Sequence, residues 1–321
     1  MDACTFPENH TGGKSNRVFG RPLLWRQIAP AFLAMHRWGA ITAEQFAGLT
    51  GHAHGYVIKS LARKLSTGGR SAQIARIVPT KEPYSPKPPN FYSLAQAGYE
   101  ELCRLVEGEW NEDPEIALGK FIPPVESVHY DERMPHRLKT IDILTAAERS
   151  ACADLGNTVI DDMIAEFRFW DGKRHPTAMR TPEGRRFKAD GAIIMSRGDH
   201  RWIDFLEVDM GTETLSSVSP RKLWETIEGK FKSYWSVMGA AMVAERFGVL
   251  PHFRVLFIAP SAARADNMAA LSMGCGLMPI DGVTPADAFR FTTHAQAEAD
   301  FYGGHWKRGD GALDPLVGRS S

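Results

Sequence analysis

The chain has 321 residues, of which 43% are hydrophobic, 24% charged and 10% aromatic, a composition typical of a soluble globular protein of one to three domains. It contains no run of about 18 apolar residues, which excludes a membrane-spanning helix. Its first residues lack the pattern of a secretory signal, so we predict a cytoplasmic protein without membrane partners. The four cysteines lie far apart with no Cys-x-x-Cys pair, so the sequence indicates neither a disulfide framework nor a thiolate zinc site.

The formal net charge of zero is unevenly distributed. Residues 1–98 hold 12 Lys and Arg against 4 Asp and Glu, a net of +8, and the remainder holds 26 against 34, a net of −8. Such asymmetry favours a nucleic-acid-binding module joined to a part of different function. An excess of cations can also simply keep a small domain soluble, so charge alone does not decide between the two interpretations.

The first segments predict an arm followed by two helices. Residues 1–20 are polar and glycine-rich, which is typical of a flexible arm. Apolar residues recur at helical spacing over residues 23–38 and predict the first helix. Thr42 and Gln45 form a capping-box pattern, in which each side chain binds a free backbone N–H of the other residue. This pattern predicts that a second, short helix begins here.

A third helix follows with two distinct faces. Val57, Leu61 and Leu65 lie on one face at helical spacing, which predicts that this face is buried. The opposite face is polar and basic and carries Tyr56, Lys59, Ser60, Arg63 and Lys64.

A hairpin and a fourth helix complete this region. Residues 74–78 and 91–94 predict two short strands, and the proline-rich segment between them predicts a protruding loop that carries Lys81 and Lys87. Residues 93–98 then lead into a predicted helix that runs through Glu101 and Leu105.

This order of elements is typical of a winged helix-turn-helix domain, which we assign to residues 21–108. The polar face of the third helix would enter a major groove, and the hairpin loop would contact the adjacent backbone as a wing. The partner would be double-stranded DNA. A basic helical domain that binds a protein is the alternative.

The rest of the chain predicts a linker, an α/β domain and a tail. Residues 109–128 are acidic and proline-containing and are interpreted as the linker. Residues 129–302 alternate strand and helix patterns and predict a mixed sheet with helices on both faces. Residues 303–321 hold few apolar residues and predict a disordered tail. The predicted strands lie at 159–164, 165–170, 187–195, 202–210 and 253–258. The predicted helices lie at 136–153, 220–246 and 262–273, and the second of these is expected to break or re-start near Gly229 or Gly239.

The chemistry of the α/β domain centres on three acidic residues. Glu207 and Asp209 are two positions apart in an apolar strand, so their side chains share one face of the sheet. Asp190 opens the preceding strand and can lie beside them. Three carboxylates on one sheet surface form an oxygen-rich site suited to Mg²⁺.

Cations follow in the next helix. Lys222 and Lys230 lie within this helix, and Tyr234 is four residues after Lys230 on the same face. Hydrolysis of a phosphodiester needs a metal that activates water and a cation that positions the nucleophile, and this set contains both components. Alternatively, Glu207 and Asp209 pair with these cations, or with Arg221, as a buried ionic cluster that joins helix and sheet.

The two-part chain resembles the replication-relaxation family of plasmid- and mobile-element-associated proteins. The resemblance covers residues 22–275 and is carried by the segments 41–45, 92–98 and 136–142, by Ala189-Asp190-Gly191, and most specifically by the string from Glu207 to Glu213, continuing to Lys230 and Tyr234.

This resemblance implies a restriction-endonuclease-like C-terminal domain, in which an Asp and a Glu-x-Lys triplet form the active site. Asp190 matches the first acid and Glu207 the second. The position of the lysine holds Asp209, so a lysine from the following helix, Lys222 or Lys230, would replace it, or the site no longer cleaves DNA. Ala189 stands where the family motif has proline.

Three functions follow from the sequence. The first is a DNA-binding accessory protein of plasmid or mobile-element replication, relaxation or transfer, which would act with other proteins of these processes. The second is a Mg²⁺-dependent DNA endonuclease in which Asp190, Glu207 and Asp209 bind the metal and a lysine positions water. The third is a non-catalytic protein-interaction or regulatory module.

Overall fold

The computed structural model describes residues 22–69, 72–77, 80–81, 89–110, 113–114, 118, 121, 123, 129–130, 133–151, 157–167 and 175–317. The predicted arm, residues 1–20, lies outside them. The chain divides into two compact units, one within residues 5–138 and one within residues 139–321.

The N-terminal unit is mostly helical. Its helices are α1 (Pro22–Trp38), α2 (Ala43–Thr50), α3 (residues 54–66) and α4 (Gln96–Leu105), which continues as a π-helical turn (Val106–Trp110), and α5 (Met134–Ala151) begins in this unit. An antiparallel sheet has the order β1 (Ile41–Thr42), β4 (Phe91–Leu94), β2 (Ile74–Ile77), and β3 (Thr80–Lys81) pairs in parallel with β5 (His129–Tyr130).

The predicted start of α2 is confirmed. The Gln45 N–H donates to Thr42 Oγ1 at 3.2 Å, and the Thr42 N–H donates to Gln45 Oε1 at 2.9 Å. Two backbone donors at the helix start are therefore satisfied by side chains. The helix packs beside α1, whose Ile28, Phe32 and Met35 are buried at the spacing that the sequence predicts.

One glycine allows α4 to approach the sheet. A Cβ atom on Gly98 would lie 2.2 Å from the carbonyl oxygen of Gln73, at the start of β2. Real Cβ atoms do not come this close to a carbonyl oxygen, so only glycine fits here. The Ala95 N–H also donates to that oxygen, at 2.9 Å, and the helix is thereby held against the sheet edge.

The N-terminal unit extends beyond the predicted boundary at residue 108. Within the predicted linker, residues 109–128, Leu118 is buried and its carbonyl oxygen lies 2.6 Å from Nε2 of His36. The ring of Phe121 lies 5.3 Å from the ring of Tyr99. The expectation of a free linker is therefore wrong for these two residues, because their side chains pack on the unit that precedes them. The unit boundary lies at residues 138–139.

The C-terminal unit is built on one sheet. Its helices besides α5 are α6 (Pro220–Leu223), α7 (Ile227–Trp235), α8 (Ala241–Phe247), α9 (Ala262–Gly274), α10 (Pro285–Ala288) and α11 (His294–Ala299). Its strands are β6 (Val159–Ala165), β7 (Ala178–Arg180), β8 (Arg186–Lys188), β9 (Gly191–Arg197), β10 (His200–Val208), β11 (Arg254–Ala259), β12 (Phe289–Thr293), β13 (Trp306–Arg308) and β14 (Leu313–Asp314).

The seven-stranded sheet is mixed, as predicted. Its order is β14-β13-β12-β11-β10-β9-β6, and β7 pairs with β8 in a separate hairpin. Strand β9 is antiparallel to β6 and β10, whereas β11 is parallel to β10 and β12. The predicted neighbouring strands at 187–195 and 202–210 correspond to β9 and β10, except that residues 187 and 188 belong to β8.

The sheet is buried on both faces, because side chains alternate along each strand. Phe205 and Phe257 belong to a core cluster with Phe231 of α7 and Met268 of α9. On the other face, a Cβ atom on Gly191 would contact both Leu206 and Leu144 of α5. The apolar runs of the central strands follow from this double coverage.

The predicted disordered tail is wrong for residues 303–317. Strands β13 and β14 lie there and add two strands to one edge of the sheet. Trp306 is fully buried, and its Nε1–H donates to the carbonyl oxygen of Phe301 at 2.6 Å. The Leu316 carbonyl oxygen accepts from Arg254 at 2.8 Å. A few large apolar side chains are enough to fix this segment, although its composition is polar and glycine-rich.

The predicted helix over residues 220–246 is interrupted twice, and the predicted break near Gly239 is confirmed. The backbone of Thr226 is extended, which separates α6 from α7, and α8 begins again at Ala241. Across the residues that the structure describes, none of the helices has the length and apolarity needed to cross a bilayer.

Candidate functional site

The basic face of α3 is the first candidate. Val57, Leu61 and Leu65 are buried, and 47% of the surface of Tyr56 is exposed. The residues predicted for DNA contact on this helix all have exposed side chains: Tyr56, Lys59, Ser60, Arg63 and Lys64. The chain therefore turns its apolar stripe inward and presents its cations to solvent.

The two predicted contacts in the hairpin loop are less well defined. Lys81 lies in β3, and the placement of its side chain is not described. Lys87 lies outside the described residues. The structure therefore places the α3 residues on one surface but does not place the predicted wing.

A buried carboxylate is the centre of the second candidate, in the C-terminal unit. Glu207 lies near the end of β10 and is only 2% exposed. Its Oε2 accepts from Lys230 Nζ at 2.8 Å, and its Oε1 accepts from the Tyr234 hydroxyl at 2.5 Å. Burial raises the pKa of Glu207 from 4.5 to about 7, against the opposing effect of the Lys230 charge. This carboxyl group can therefore exchange a proton near neutral pH.

Lys230 reaches this carboxylate from α7. The hydroxyl of Thr226 caps α7 by accepting from the Gly229 N–H at 3.2 Å. A Cβ atom on Gly229 would lie 2.3 Å from the carbonyl oxygen of Leu223, so glycine allows α7 to approach the preceding turn closely. Lys230 Nζ also donates to Glu213 Oε1 at 2.9 Å. The surrounding carboxylates outweigh burial and raise the pKa of Lys230, which stays protonated.

Asp190 belongs to the same group. One of its carboxylate oxygens accepts from the Val208 N–H at 2.7 Å, which ties it to the end of β10. Its charge raises the pKa of Glu207 and of Tyr234, after the larger effect of burial on each. Asp190, Glu207 and Lys230 therefore form one group, and Tyr234 contacts this group through its hydrogen bond to Glu207.

Asp209 is held apart from this group by a different partner. Arg264 of α9 donates to both of its carboxylate oxygens, at 2.8 and 3.2 Å. The Asp209 side chain is 2% exposed, so the guanidinium compensates a buried charge. The predicted trio of carboxylates divides into a pair and a separate ion pair.

The remaining predictions for this site have different outcomes. Lys222 lies on α6 with an exposed side chain, and Lys230 is the lysine that reaches Glu207. Among the described residues, no group of three or more His, Cys, Asp or Glu side chains is arranged to hold a metal ion.

Sequence reasoning missed two members of the site. Glu213 lies within the string that carries the family resemblance, and its acidic side chain was a usable signal for a partner of Lys230. Arg264 is 55 residues from Asp209 in the chain, and no spacing rule connects them. The pairing of Asp209 could therefore be learned only from the fold.

No protein-family model matches the chain, and neither curated proteins nor solved structures provide a match.

Proposed function

We propose that this protein is a DNA-binding accessory protein of plasmid or mobile-element replication, relaxation or transfer, with a nuclease-like C-terminal domain. The observation that carries the proposal is the exposed basic face of α3 above a buried apolar stripe. In a winged helix-turn-helix, such a helix enters the major groove. The elements that surround α3, two helices before it and strands and a helix after it, support this interpretation.

Local charge supports the same proposal. From Gln45 to Lys81, both included, the chain has six Lys and Arg residues and no Asp or Glu. A surface with cations and no acids is attracted to the phosphates of DNA and releases counterions when it binds. Lys59, Arg63 and Lys64 would contact phosphates, whereas Tyr56 and Ser60 would lie nearer the base edges.

Binding of the full chain to duplex DNA tests this proposal. We expect the affinity to fall with salt, and the double variant Arg63→Ala/Lys64→Ala to reduce the log–log slope by about one for each phosphate that is no longer neutralised. Arg104→Ala is the matched control, since Arg104 is an exposed cation of the same unit that lies on α4 and pairs with Glu101. Absence of duplex binding at low salt, or equal slopes for both variants, would contradict the proposal.

A Mg²⁺-dependent endonuclease is the second candidate, favoured by the meeting of Asp190, Glu207 and Lys230. Proteins usually bind Mg²⁺ through one or two carboxylates together with substrate oxygens and water, so Asp190 and Glu207 fit this ion without Asp209. Bound there, the ion would supply activation of water and neutralisation of phosphate charge.

The residues of the chain would contribute to this reaction in distinct ways. Lys230 carries a permanent charge beside Glu207 and would orient the scissile phosphate or the attacking water. Tyr234 donates to Glu207 and holds its carboxylate in place. Because burial raises the pKa of Glu207 to about 7, a metal ion would have to displace a proton from this carboxyl group, so its binding would strengthen as pH rises.

Cleavage of supercoiled plasmid in the presence of Mg²⁺ or Mn²⁺ tests the second candidate. We expect cleavage to be lost in Glu207→Gln and in Lys230→Ala, and to persist in Lys232→Ala, whose amine pairs with Glu228 on the same helix. Cleavage that survives Glu207→Gln would exclude this site as its origin.

A non-catalytic interaction module is favoured by one observation, which is that Glu207 and Asp209 are each already compensated by a cation. A melting scan with and without millimolar Mg²⁺ distinguishes the two interpretations. A preformed metal site raises the melting temperature by linkage, whereas a purely structural ion-pair cluster does not.

A further inference from the structure

An exposed aromatic ring stacks with an arginine on the C-terminal unit. The indole of Trp224 is 37% exposed, although most of the large aromatic side chains of this unit are buried. The guanidinium carbon of Arg185 lies 3.5 Å from the centre of that ring. This distance is a close cation–π contact, which covers one face of the indole. The two side chains together form a flat, positively charged feature at the surface.

Both side chains stand on well-defined supports. Arg185 closes the turn of the β7–β8 hairpin, where its carbonyl oxygen accepts from the Thr181 N–H at 2.8 Å. Trp224 directly follows α6, and the carbonyl oxygen of Leu223 is in tight contact with Gly229 of α7. Because neither residue lies on a long unsupported loop, the pair is preorganised, which lowers the entropic cost of binding a ligand.

The elements that carry this pair are rich in cations. The hairpin and residues 220–225 together carry six cations, against the two acids Glu183 and Glu225, and one of these cations, Lys188, pairs with Glu166. The chain from residue 99 onward has a net charge of −8. This local excess is suited to a polyanion that also offers a flat apolar surface. The six cations are Arg180, Arg185, Arg186, Lys188, Arg221 and Lys222.

The surface borders the group around Glu207. Phe187 of β8 packs edge-on against Tyr234, with ring centres 5.1 Å apart, and Tyr234 donates to Glu207. On the other side, Glu213, in the segment that leads to α6, accepts from Lys230. A linear ligand that lies across the hairpin and α6 would therefore cover side chains that pack on this buried group.

We infer that Arg185 and Trp224 form a stacking platform for a base of single-stranded DNA, which the cations of these elements hold by its phosphates. Every base has a π-face, so stacking on an aromatic side chain binds single strands with little dependence on sequence. The bases of a duplex are already stacked on each other, which leaves the platform no partner there. The inference rests on the proposed DNA-binding function. It adds that the C-terminal unit binds single-stranded DNA.

Binding of the full chain to a labelled oligothymidylate of about 12 nucleotides tests the platform. The measurement uses the Arg63→Ala/Lys64→Ala background, so that the basic face of α3 contributes little. Trp224→Leu keeps an apolar side chain but removes the π-face, and we expect it to raise Kd about five-fold or more. Trp224→Phe keeps a π-face and should raise Kd less than about two-fold. Leu313→Ala, at an exposed apolar residue of β14, is the surface control.

Arg185→Gln provides a second variant that does not alter the aromatic ring. It should also weaken binding of the oligonucleotide and reduce its salt dependence, because the platform then has one cation fewer. Equal Kd values for Trp224→Leu, Trp224→Phe and Leu313→Ala would overturn the inference. Loss of duplex binding in the Arg63→Ala/Lys64→Ala protein with no effect of Trp224→Leu on the single strand would leave the proposed function standing and reject the platform alone.

Discussion

The basic face of α3 and the group around Glu207 use charge in opposite ways. On α3 the cations are exposed to water above an apolar stripe, and this helix has no acidic residue. Around Glu207 the charges are of both signs, and the carboxylate of Glu207 is almost completely withdrawn from solvent. The first arrangement requires little desolvation of charge, and the cations stay in contact with solvent. The second makes charge part of the packing, since a buried ion requires compensation.

Burial also sets the pKa values in the group around Glu207. At Glu207, burial and neighbouring charges compete, and the pKa of the carboxyl group moves to about 7. The same carboxylate raises the pKa of Lys230 and adds to the effect of burial on the pKa of Tyr234. Burial, more than residue type, therefore distinguishes the group around Glu207 from the exposed basic face of α3.

The largest expected effect is a difference in stability between variants of two lysines on the same helix, Lys230 and Lys232. Lys230→Ala leaves the buried Glu207 without its cation and should lower the free energy of unfolding by about 3 kcal/mol or more at pH 8. Lys232→Ala breaks a more exposed pair with Glu228 and should cost about 0.5 kcal/mol. Urea unfolding of both variants measures the difference. Equal losses would mean that burial does not distinguish the two pairs.

The pH dependence of stability should reveal Glu207 directly. Between pH 4.5 and about 7 the folded state retains the proton that the unfolded state has released, so the free energy of unfolding falls as pH rises through this window. Since one pKa unit corresponds to about 1.4 kcal/mol, the total change is of the order of a few kcal/mol. Glu207→Gln should remove this slope from curves of unfolding free energy against pH.

Glu228→Gln is the control of opposite sign for that experiment. Hydrogen bonds from Lys232 and Ser216 lower the pKa of Glu228, so its contribution to stability is present above its ordinary pKa and lost at more acidic pH. A slope between pH 4.5 and 7 that persists in Glu207→Gln would assign the titration to another group.

The smallest expected effect lies on α3. Lys59→Ala and Arg63→Ala remove exposed side chains and should change the free energy of unfolding by less than about 0.5 kcal/mol. Leu61→Ala, on the buried face of the same helix, should cost about 2 kcal/mol or more. Thermal unfolding tests both. A large loss in the lysine or arginine variants would show that these cations stabilise the fold and are not reserved for a partner.

Much of the local structure was predictable because it depends on neighbours in the chain. The capping box at Thr42 and Gln45, the two faces of α3 and the strand pair β9–β10 follow from spacing over a few residues. The prediction failed for residues 303–317, because low apolar content obscured the burial of Trp306. The break near Gly239 was predicted from the glycine itself, whereas the first interruption lies at Thr226, three residues before Gly229, because an extended residue in an otherwise helical pattern leaves little trace in the sequence.

The sequence by itself determined where acids and cations stand along the chain and which of them share a strand or helix face. Only the tertiary structure decided that Lys230 and not Lys222 compensates Glu207, that Arg264 takes Asp209, and that Arg185 stacks on Trp224. The physical reason is that Coulomb energy and desolvation depend on distance and burial in space. Residues tens of positions apart acquire these quantities only when the chain has folded.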